Sequence, residues 1–201
     1  NVKGARGTIG SSRVKNARPD GHTIMMLHEA IITAKHAGLS PYGPEAFEPV
    51  AATGENVMIL AAAKDSPFDT LAQASDHAAA NPNQLIFGTA IGAPTHMVGL
   101  LVEKVHGSAK FRFTQAGSGA QRISSLTGGH IDFSPFSIGE YLRYESAGIK
   151  AIAVFSPERQ PLIPNTPTAT ELGLPVNSIN PNYWWAPKGT PQERIDVISA
   201  A

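Results

Sequence analysis

Apolar runs of strand length alternate along the chain with segments whose apolar residues recur every three or four positions. LIFG at Leu85–Gly88 is typical of a buried strand, and Thr95–Val105 has the spacing of an amphipathic helix. Its buried face is expected to carry Val98, Leu101, Val102 and Val105. Similar elements are predicted at HTIMML, FDTLAQASDHAAANP, FRFTQ, SGAQRISSLT, HIDFSPF, GEYLRYESA and KAIAVF. This alternation predicts an α/β fold with a largely parallel sheet.

Two turn signals add detail to this pattern. The run AFEPVAATGENVMILAA is interpreted as two strands separated by Gly54-Glu55-Asn56. Near the end of the chain, Thr190-Pro191-Gln192-Glu193 has the form of a capping box, with Thr190 as N-cap and Glu193 at the third helical position. We therefore predict a final helix that begins at Pro191.

Composition narrows the function classes. The 201 residues are 42% hydrophobic, and the 16 basic residues equal the 16 acidic ones, so no basic surface for nucleic acid is indicated. There is no cysteine, which excludes disulfides and thiolate chemistry. Apolar runs such as VMILAAA are far shorter than the ~20 residues of a membrane span. The opening NVKGARGTIG lacks a signal-peptide pattern, and the final ISAA lies within a helical pattern, so we expect a piece of a longer mature protein.

The turn within GTAIGAPTHMVGLL is the first candidate binding site. A strand ends at Gly88 and a helix begins near Thr95, and small or apolar residues fill the middle of the turn between them, namely Ala90, Ile91, Gly92 and Ala93. The free N–H groups of the first helical turn attract anions, so a carboxylate or phosphate would find backbone amides and the Thr95 hydroxyl here. An ordinary tight turn between strand and helix is the alternative, and the local residues alone leave both open.

Three further features offer polar groups. Gln115 ends a predicted strand before Gly117-Ser118-Gly119, a weak phosphate-loop signal that equally suits a structural turn. Asp132 is interpreted as the end of another strand, where a carboxylate would accept from a ligand or cap the next turn. Arg6 and Arg122 are able to pair with a ligand carboxylate or with a local partner.

Catalytic and metal chemistry find little support. The seven histidines are scattered, without an HExxH motif or a pair four residues apart, so we expect no metal site and no cofactor. No motif marks an activated nucleophile, so no catalytic residue is assigned and we expect a protein that is not an enzyme.

The order and spacing of several segments carry a resemblance over essentially the whole chain. They are GARGTIGSSRVKNARPDGHTIMML, FEPVAATGENVMILAA, ANPNQLIFGTAIGAPTHMVGLLVEKVHG, FTQAGSGAQRISSLTGGHIDFSPF, GIKAIAVFSPERQPLIPNTPTATELGLP and YWWAPKGTPQERI. Together they resemble the substrate-binding proteins of tripartite tricarboxylate transporters, also called Bug-type receptors.

The resemblance implies a two-domain α/β fold of the type II periplasmic-binding-protein kind that closes on its ligand. It places the first domain at residues 1–88 and 185–201 and the second at residues 89–184. It further implies that the family's first strand with its glycine-rich loop, the signal peptide and the C-terminal elements lie outside this chain. The implied protein is a monomeric periplasmic receptor that binds a mono- or dicarboxylic acid between its domains and delivers it to membrane permease subunits.

The resemblance also implies ligand-binding residues. The turn from Ala90 to Ala93, with Thr95, corresponds to the family's carboxylate-binding loop GSAGxGSxxH, although its residues depart from the Gly/Ser wording while His96 matches. Gln115-Ala116-Gly117 corresponds to PYKG, with the usual Tyr-Lys pair replaced by Gln-Ala. Asp132 corresponds to the Asp of GGxVD, although Phe133–Ser137 departs from MFDN. His28 falls where the family has a GTHA-like loop that faces the cleft. These departures predict an uncommon ligand.

Two other functions stay open. The same fold is able to present its liganded form to a signalling partner instead of a permease. A hydrolase is the third possibility, although no nucleophile supports it.

Overall fold

Helices and strands alternate along the chain in the computed structural model, which describes residues 7–201, so Arg6 lies outside the described part. The helices are α1 (Thr8–Lys15), α2 (Ala30–His36), α3 (Leu71–Ala80), α4 (Pro94–His106), α5 (Gly119–Thr127), α6 (Ile138–Tyr144) and α7 (Gln192–Ser199). The strands are β1 (Met25–Leu27), β2 (Phe47–Ala63), β3 (Ile86–Thr89), β4 (Arg112–Gln115), β5 (Phe133–Ser137), β6 (Ile149–Val154) and β7 (Ile179–Pro187). The predicted α/β class is confirmed.

The chain forms two compact units. The first comprises Asn1–Glu55 and Asn180–Ala201, and the second comprises Asn56–Ile179. This division differs from the expected boundaries, because residues 56–88 belong to the second unit and residues 180–184 to the first. The reason is strand pairing: the C-terminal part of β2 pairs with β5 and β6, and therefore belongs to their sheet.

The sheet of the second unit has the order β4-β3-β5-β2-β6. Strand β3 is parallel to β4 and to β5, while β2 is antiparallel to β5 and to β6. The C-terminal ends of β3, β4 and β5 therefore lie at one edge of the sheet, and their N-terminal ends lie at the other.

Both faces of this sheet are buried. Successive β2 residues alternate between two apolar clusters, with Leu60 and Ala62 in one and Ile59 and Ala61 in the other. The first cluster includes apolar residues of α3 and α4, and the second includes residues of α5 and α6. This arrangement explains the continuous apolar run VMILAAA, since a strand that is covered on both faces needs no polar alternation.

The first unit has a smaller core. Strand β7 lies between β1 and β2 in the sheet order, and β1 pairs with it antiparallel, with Met25 opposite Trp185. The core residues are Val14, Met25, Ile31, Phe47 and Trp185. The indole N–H of Trp185 donates to the Leu27 carbonyl at 3.1 Å, so the large ring is buried without an unpaired donor.

The structure corrects two predictions about turns. Strand β2 is one strand of 17 residues, because Gly54 adopts a φ of 61° that a glycine tolerates, and pairing continues beyond it. The predicted capping box at the last helix is wrong. Pro191 occupies the N-cap position of α7 without a side-chain cap, and the Thr190 hydroxyl donates instead to the Pro187 carbonyl at 2.7 Å.

The buried face of α4 is narrower than predicted. Val98 and Val102 are buried as expected, together with Gly99. Leu101 and Val105 are 38% and 40% exposed. Gly99 contributes to the buried face of α4 because its backbone lies close to the sheet. A Cβ at this position would lie 2.4 Å from the Phe113 ring.

Candidate ligand-binding site

The candidate site lies at the edge of the second unit where β3 and β4 end. These parallel strands run in register, so Thr89 lies opposite Gln115. Each strand leads through a short loop into a helix, β3 into α4 and β4 into α5. The two loops therefore meet at the sheet edge, beside the N-termini of two helices whose first N–H groups lack intrahelical partners.

The loop from β3 to α4 is a closed turn. The Ala93 N–H donates to the Ala90 carbonyl at 2.9 Å, and Gly92 takes a φ of 79°, which favours glycine. Pro94 begins the helix, where its missing N–H costs nothing. The hydroxyls of Thr89 and Thr95 are 2.8 Å apart and link the end of the strand to the first turn of the helix.

Side chains occupy two of the turn's amides. The Ile91 N–H donates to Gln115 Oε1 at 2.8 Å, and the Gly92 N–H donates to His96 Nδ1 at 3.2 Å. The His96 ring also packs edge-on against Phe113. Burial lowers the pKa of His96, which the charge of Glu103 opposes, so the neutral ring that accepts this bond is favoured.

Other amides at this edge have no acceptor. Within residues 7–201, the structure places no partner for the backbone N–H groups of Ala90, Thr95 and Gly117. The first two belong to the turn before α4 and the third to the loop before α5. Backbone donors of this kind, next to helix N-termini, favour anionic oxygen atoms such as those of a carboxylate.

The loop from β4 to α5 borders an open depression of ≈ 670 Å³. It is lined by Gln115, Ala116, Gly117, Ala120, Gln121, Ser124 and Ser125. Gly117 has a φ of 73°, and a Cβ there would lie 2.2 Å from Gln121 Oε1. That oxygen accepts from the N–H of Ser118 at 2.8 Å and from its hydroxyl at 3.0 Å, so the loop conformation is well defined.

Arg122 supports this loop from inside the unit. The residue is 6% exposed, and its guanidinium donates to the carbonyls of Gly117 and Pro135 at 3.1 and 3.3 Å and lies 3.6 Å from the Glu140 carboxylate. Burial lowers the pKa of Arg122, and the Glu140 carboxylate opposes this. Arginine nevertheless stays charged, so a buried cation, paired with the Glu140 carboxylate, lies behind the Gly117 peptide. The sequence left open whether Arg122 pairs with a ligand carboxylate or with a local partner, and the structure shows local partners.

Most of the predicted site residues come together at this edge. They are Ala90, Ile91, Gly92, Ala93, Thr95, Gln115, Ala116 and Gly117. Their contact with a ligand stays a prediction. His96 was not among the predicted contacts. The feature of the sequence that indicated its contact with the turn was its position three residues after the N-cap Ala93.

The predicted position of Asp132 at the end of a strand is wrong. It precedes β5 instead of ending a strand, so it lies at the N-terminal edge of the sheet. Its Oδ2 accepts from the Ile86 N–H at 2.6 Å, and its own N–H donates to the Ile86 carbonyl at 2.9 Å. Four residues of β3, about 3.3 Å each, separate that edge from the turn at Ala90. Asp132 is therefore a structural link between strands.

His28 lies in the first unit, between β1 and α2. Its Nδ1 accepts from the Ala30 N–H at 3.3 Å, and burial lowers its pKa. The neighbouring Glu29 was not predicted as a site residue. Burial raises the pKa of Glu29, and within residues 7–201 its Oε2 is buried without a hydrogen-bond partner. A ligand contact for His28 stays a prediction.

Residues 7–201 lack the features of a metal site and of a membrane-spanning helix. That part of the chain contains no group of three or more His, Asp or Glu side chains arranged to hold a metal ion. None of its helices combines the length and the apolar character needed to cross a bilayer.

Comparison with known proteins decides the family. A family model described as "Tripartite tricarboxylate transporter family receptor" matches residues 1–201. The chain belongs to this receptor family. The resemblance seen in the sequence is thereby confirmed, and the family is one of solute receptors.

Two relatives of the receptor are informative. A Pseudomonas sp. (strain P51) protein, "UPF0065 protein in tcbD-tcbE intergenic region", is 30% identical over 100% of this chain and 61% of its own length. The protein BugT of Bordetella pertussis is 28% identical over 99% of this chain and 63% of its own length. The chain thus spans about three fifths of the length of these curated relatives.

Solved structures agree with this assignment of the receptor. MatC from Rhodopseudomonas palustris, with bound malate, is 27% identical with a TM-score of 0.83, covering 98% of this chain and 69% of MatC. The periplasmic binding protein BugD is 30% identical with a TM-score of 0.79, covering 96% of this chain and 66% of BugD. The fold of this chain is therefore that of the family's periplasmic binding proteins.

Proposed function

We propose that the protein is a monomeric periplasmic receptor that binds a small mono- or dicarboxylate and delivers it to a permease of the tripartite tricarboxylate transporter type. The observation that carries the proposal is the group of backbone donors without partners at the ends of β3 and β4. The family assignment supports it.

One carboxylate of the ligand accepts from the N–H groups of Ala90 and Thr95, with Gly117 contributing from the neighbouring loop. Hydrogen bonds to an ionised acceptor are shorter and stronger than those between neutral groups, so a carboxylate gains more here than an amide or ester does. Ile91, Gly92 and Ala93 shape the turn, because in this structure their N–H groups bond to Gln115, His96 and Ala90 respectively.

Two proteins of similar structure support the proposed role as a periplasmic carboxylate receptor. MatC holds malate, a dicarboxylate, and BugD is a periplasmic binding protein. The proposal needs no chemical step, since binding and release of the ligand are sufficient for delivery.

Isothermal titration calorimetry of the full-length protein with acetate, propionate, succinate, malate and adipate tests the proposal. We expect at least one acid to bind with a dissociation constant near or below about 10 μM. The matching neutral amides, acetamide and succinamide among them, serve as controls and should bind at least about tenfold more weakly. Binding of none of the acids, or equal binding of acid and amide, would contradict the proposal.

A further inference from the structure

We infer that the receptor takes an acid with a single carboxylate, whose other polar end donates hydrogen bonds as a hydroxyl or a carboxamide does, and that Glu140 disfavours a second carboxylate. The inference rests on the proposed function and names the class of acid that the same site takes. It comes from the position of the Glu140 carboxylate against Gly119, the first residue of α5.

The Glu140 side chain extends from α6 to the N-terminus of α5. A Cβ at Gly119 would overlap Glu140 Oε1, so the glycine leaves room for the carboxylate there. The other oxygen, Oε2, lies 3.6 Å from the Arg122 guanidinium. Because the N-terminus of a helix attracts negative charge, a carboxylate in this position is favoured. At α5 the chain itself therefore supplies the anion that a ligand would otherwise bring.

The cation behind this loop is also paired. Arg122 donates to the Gly117 carbonyl at 3.1 Å, and Glu140 lies beside the same guanidinium. The side chains of Arg122 and Glu140 are 8% and 32% exposed, so water screens their charges only in part. A second ligand carboxylate at this loop would meet a neutral pair instead of a free cation, with the negative member at the end of α5.

The depression beside α5 is lined by uncharged residues alone, and the polar ones are Gln115, Gln121, Ser124 and Ser125. Backbone groups of both polarities lack partners at this loop within residues 7–201, namely the N–H of Gly117 and the carbonyls of Gln115 and Ala116. A hydroxyl or a carboxamide both donates and accepts, so it matches both kinds of group. A carboxylate only accepts, and would leave the two carbonyls without a donor.

Gln115 joins this depression to the turn proposed to hold the ligand carboxylate. Its side chain lines the depression, and its Oε1 accepts from the Ile91 N–H of the turn at 2.8 Å. A ligand whose carboxylate accepts from Ala90 and Thr95 therefore has its other end beside α5. The two helix N-termini differ in charge, because α4 has no acidic residue in its first turn whereas Glu140 lies against the first residue of α5.

Isothermal titration calorimetry of the full-length protein at about pH 7.5, where both carboxyls of a diacid are ionised, tests this class of ligand. Succinate is compared with its half-amide succinamate, and adipate with adipamate, since the members of each pair differ only at the second polar end. We expect the tightest ligand of these four to be a half-amide, which should bind more tightly than its diacid by about tenfold or more.

Glu140→Gln is the discriminating change. It keeps the size of the side chain, removes the negative charge from the N-terminus of α5 and leaves Arg122 without its anion. We expect the preference for the half-amide over the diacid to fall by about fivefold or more. The preference is a ratio of two affinities measured in one protein, so a general loss of affinity cancels.

Gly119→Ala tests the same contact without a change in charge. The new Cβ displaces the Glu140 carboxylate, and Gly119 is not among the glycines with positive φ, so its backbone tolerates alanine. The preference for the half-amide should fall by about twofold or more. Thermal unfolding without ligand shows whether each variant is folded, and if Glu140→Gln is not, the Gly119 variant decides.

Glu145→Gln is the matched control. Glu145 follows the other end of α6 and accepts from the Tyr141 hydroxyl at 3.0 Å, a bond that glutamine retains. The same loss of charge there should leave the preference within about twofold of wild type. A shift as large as that of Glu140→Gln would show a general effect of net charge and overturn the inference.

Different results overturn the two proposals. If a diacid binds to wild type more tightly than its half-amide or within about twofold of it, or if a folded Glu140 or Gly119 variant keeps the wild-type preference, the inference is overturned while the proposed function stands. The same holds if only acetate or propionate binds, because a donating end then contributes nothing. If wild type binds no acid, the proposed function fails and the inference fails with it.

Discussion

At both edges of the sheet in the second unit, a side-chain oxygen accepts a hydrogen bond from a backbone N–H, but the two contacts have different roles. At the N-terminal edge, the Asp132 carboxylate accepts from the Ile86 N–H at 2.6 Å, and the Asp132 N–H donates back to Ile86. At the C-terminal edge, Gln115 accepts from the Ile91 N–H at 2.8 Å but retains an unpartnered NH₂ group. A carboxylate has only acceptors, whereas an amide that accepts on one side still donates on the other.

The surroundings of these contacts differ in the same sense. Buried Leu85 and Ile131 flank the contact at the N-terminal edge, which suits a structural link. Small residues, and the amides of Ala90, Thr95 and Gly117, mark the C-terminal edge. The asymmetry follows from the parallel pairing of β3 with β4 and β5, since the C-terminal ends of these strands lead into helix N-termini, where backbone donors are left over. The role of a polar contact therefore depends on whether its partners retain an unpaired donor or acceptor.

Arg122 has a structural role although it lies at the C-terminal edge. Its replacement should give the largest effect of the variants considered. Arg122→Ala removes donors from the Gly117 and Pro135 carbonyls and leaves Glu140 without its cation, so we expect a loss of about 2–4 kcal/mol in unfolding free energy. Urea denaturation followed by circular dichroism measures it. Arg122→Lys keeps the charge but not the planar fork, and should recover only part of the loss. A loss below about 0.5 kcal/mol for Arg122→Ala would show that the loop needs no support from it.

Asp132 should affect stability without affecting binding. Asp132→Ala deprives the Ile86 N–H of its acceptor, and we expect a loss of about 1–2 kcal/mol in the same denaturation experiment. Carboxylate affinity should stay within about twofold of wild type, because the contact lies at the opposite edge. Asp132→Asn keeps an acceptor oxygen and should lose less. A large drop in affinity with unchanged stability would return Asp132 to the binding site and remove the contrast between the edges.

His96 should give the smallest effect, through pH. Its pKa in the folded protein lies below the ordinary value of 6.5, because burial disfavours the charged ring. As pH falls below that value the unfolded chain takes up the proton first, so stability falls, whereas above it the effect vanishes. His28 acts in the same direction, so the His96 contribution is the difference between wild type and His96→Phe.

Melting temperatures at pH 7.5 and pH 5.0 measure this difference. The ring of His96 is only partly buried, so wild type should lose only about 1 °C more than His96→Phe over this range. An equal pH dependence in both proteins would show that protonation of His96 does not disturb the bond from the Gly92 N–H.

The sequence predicted the elements that local pattern controls. The helical spacing before Gly107 predicted α4 to within a residue at either end, and LIFG predicted β3 with a shift of one residue. Failures occurred where a distant contact competed with a local signal. The glycine at position 54 suggested a turn, but strand pairing on both sides of it keeps β2 continuous. Thr190 had the form of an N-cap, but its hydroxyl donates to the Pro187 carbonyl.

The same limit applies to the site. Asp132 was misplaced because a one-letter pattern does not show whether a polar residue begins or ends its strand. The alternation of strands and helices, the turn of small residues before Thr95 and the family were all determined by the sequence, because each depends on residues close together or on their order. Only the tertiary structure decided which backbone donors stay free. Parallel pairing of Thr89 with Gln115 brings Ile91 and Gln115, which are 24 positions apart, within hydrogen-bond distance. That contact occupies the Ile91 amide and directs the Gln115 NH₂ group away from it.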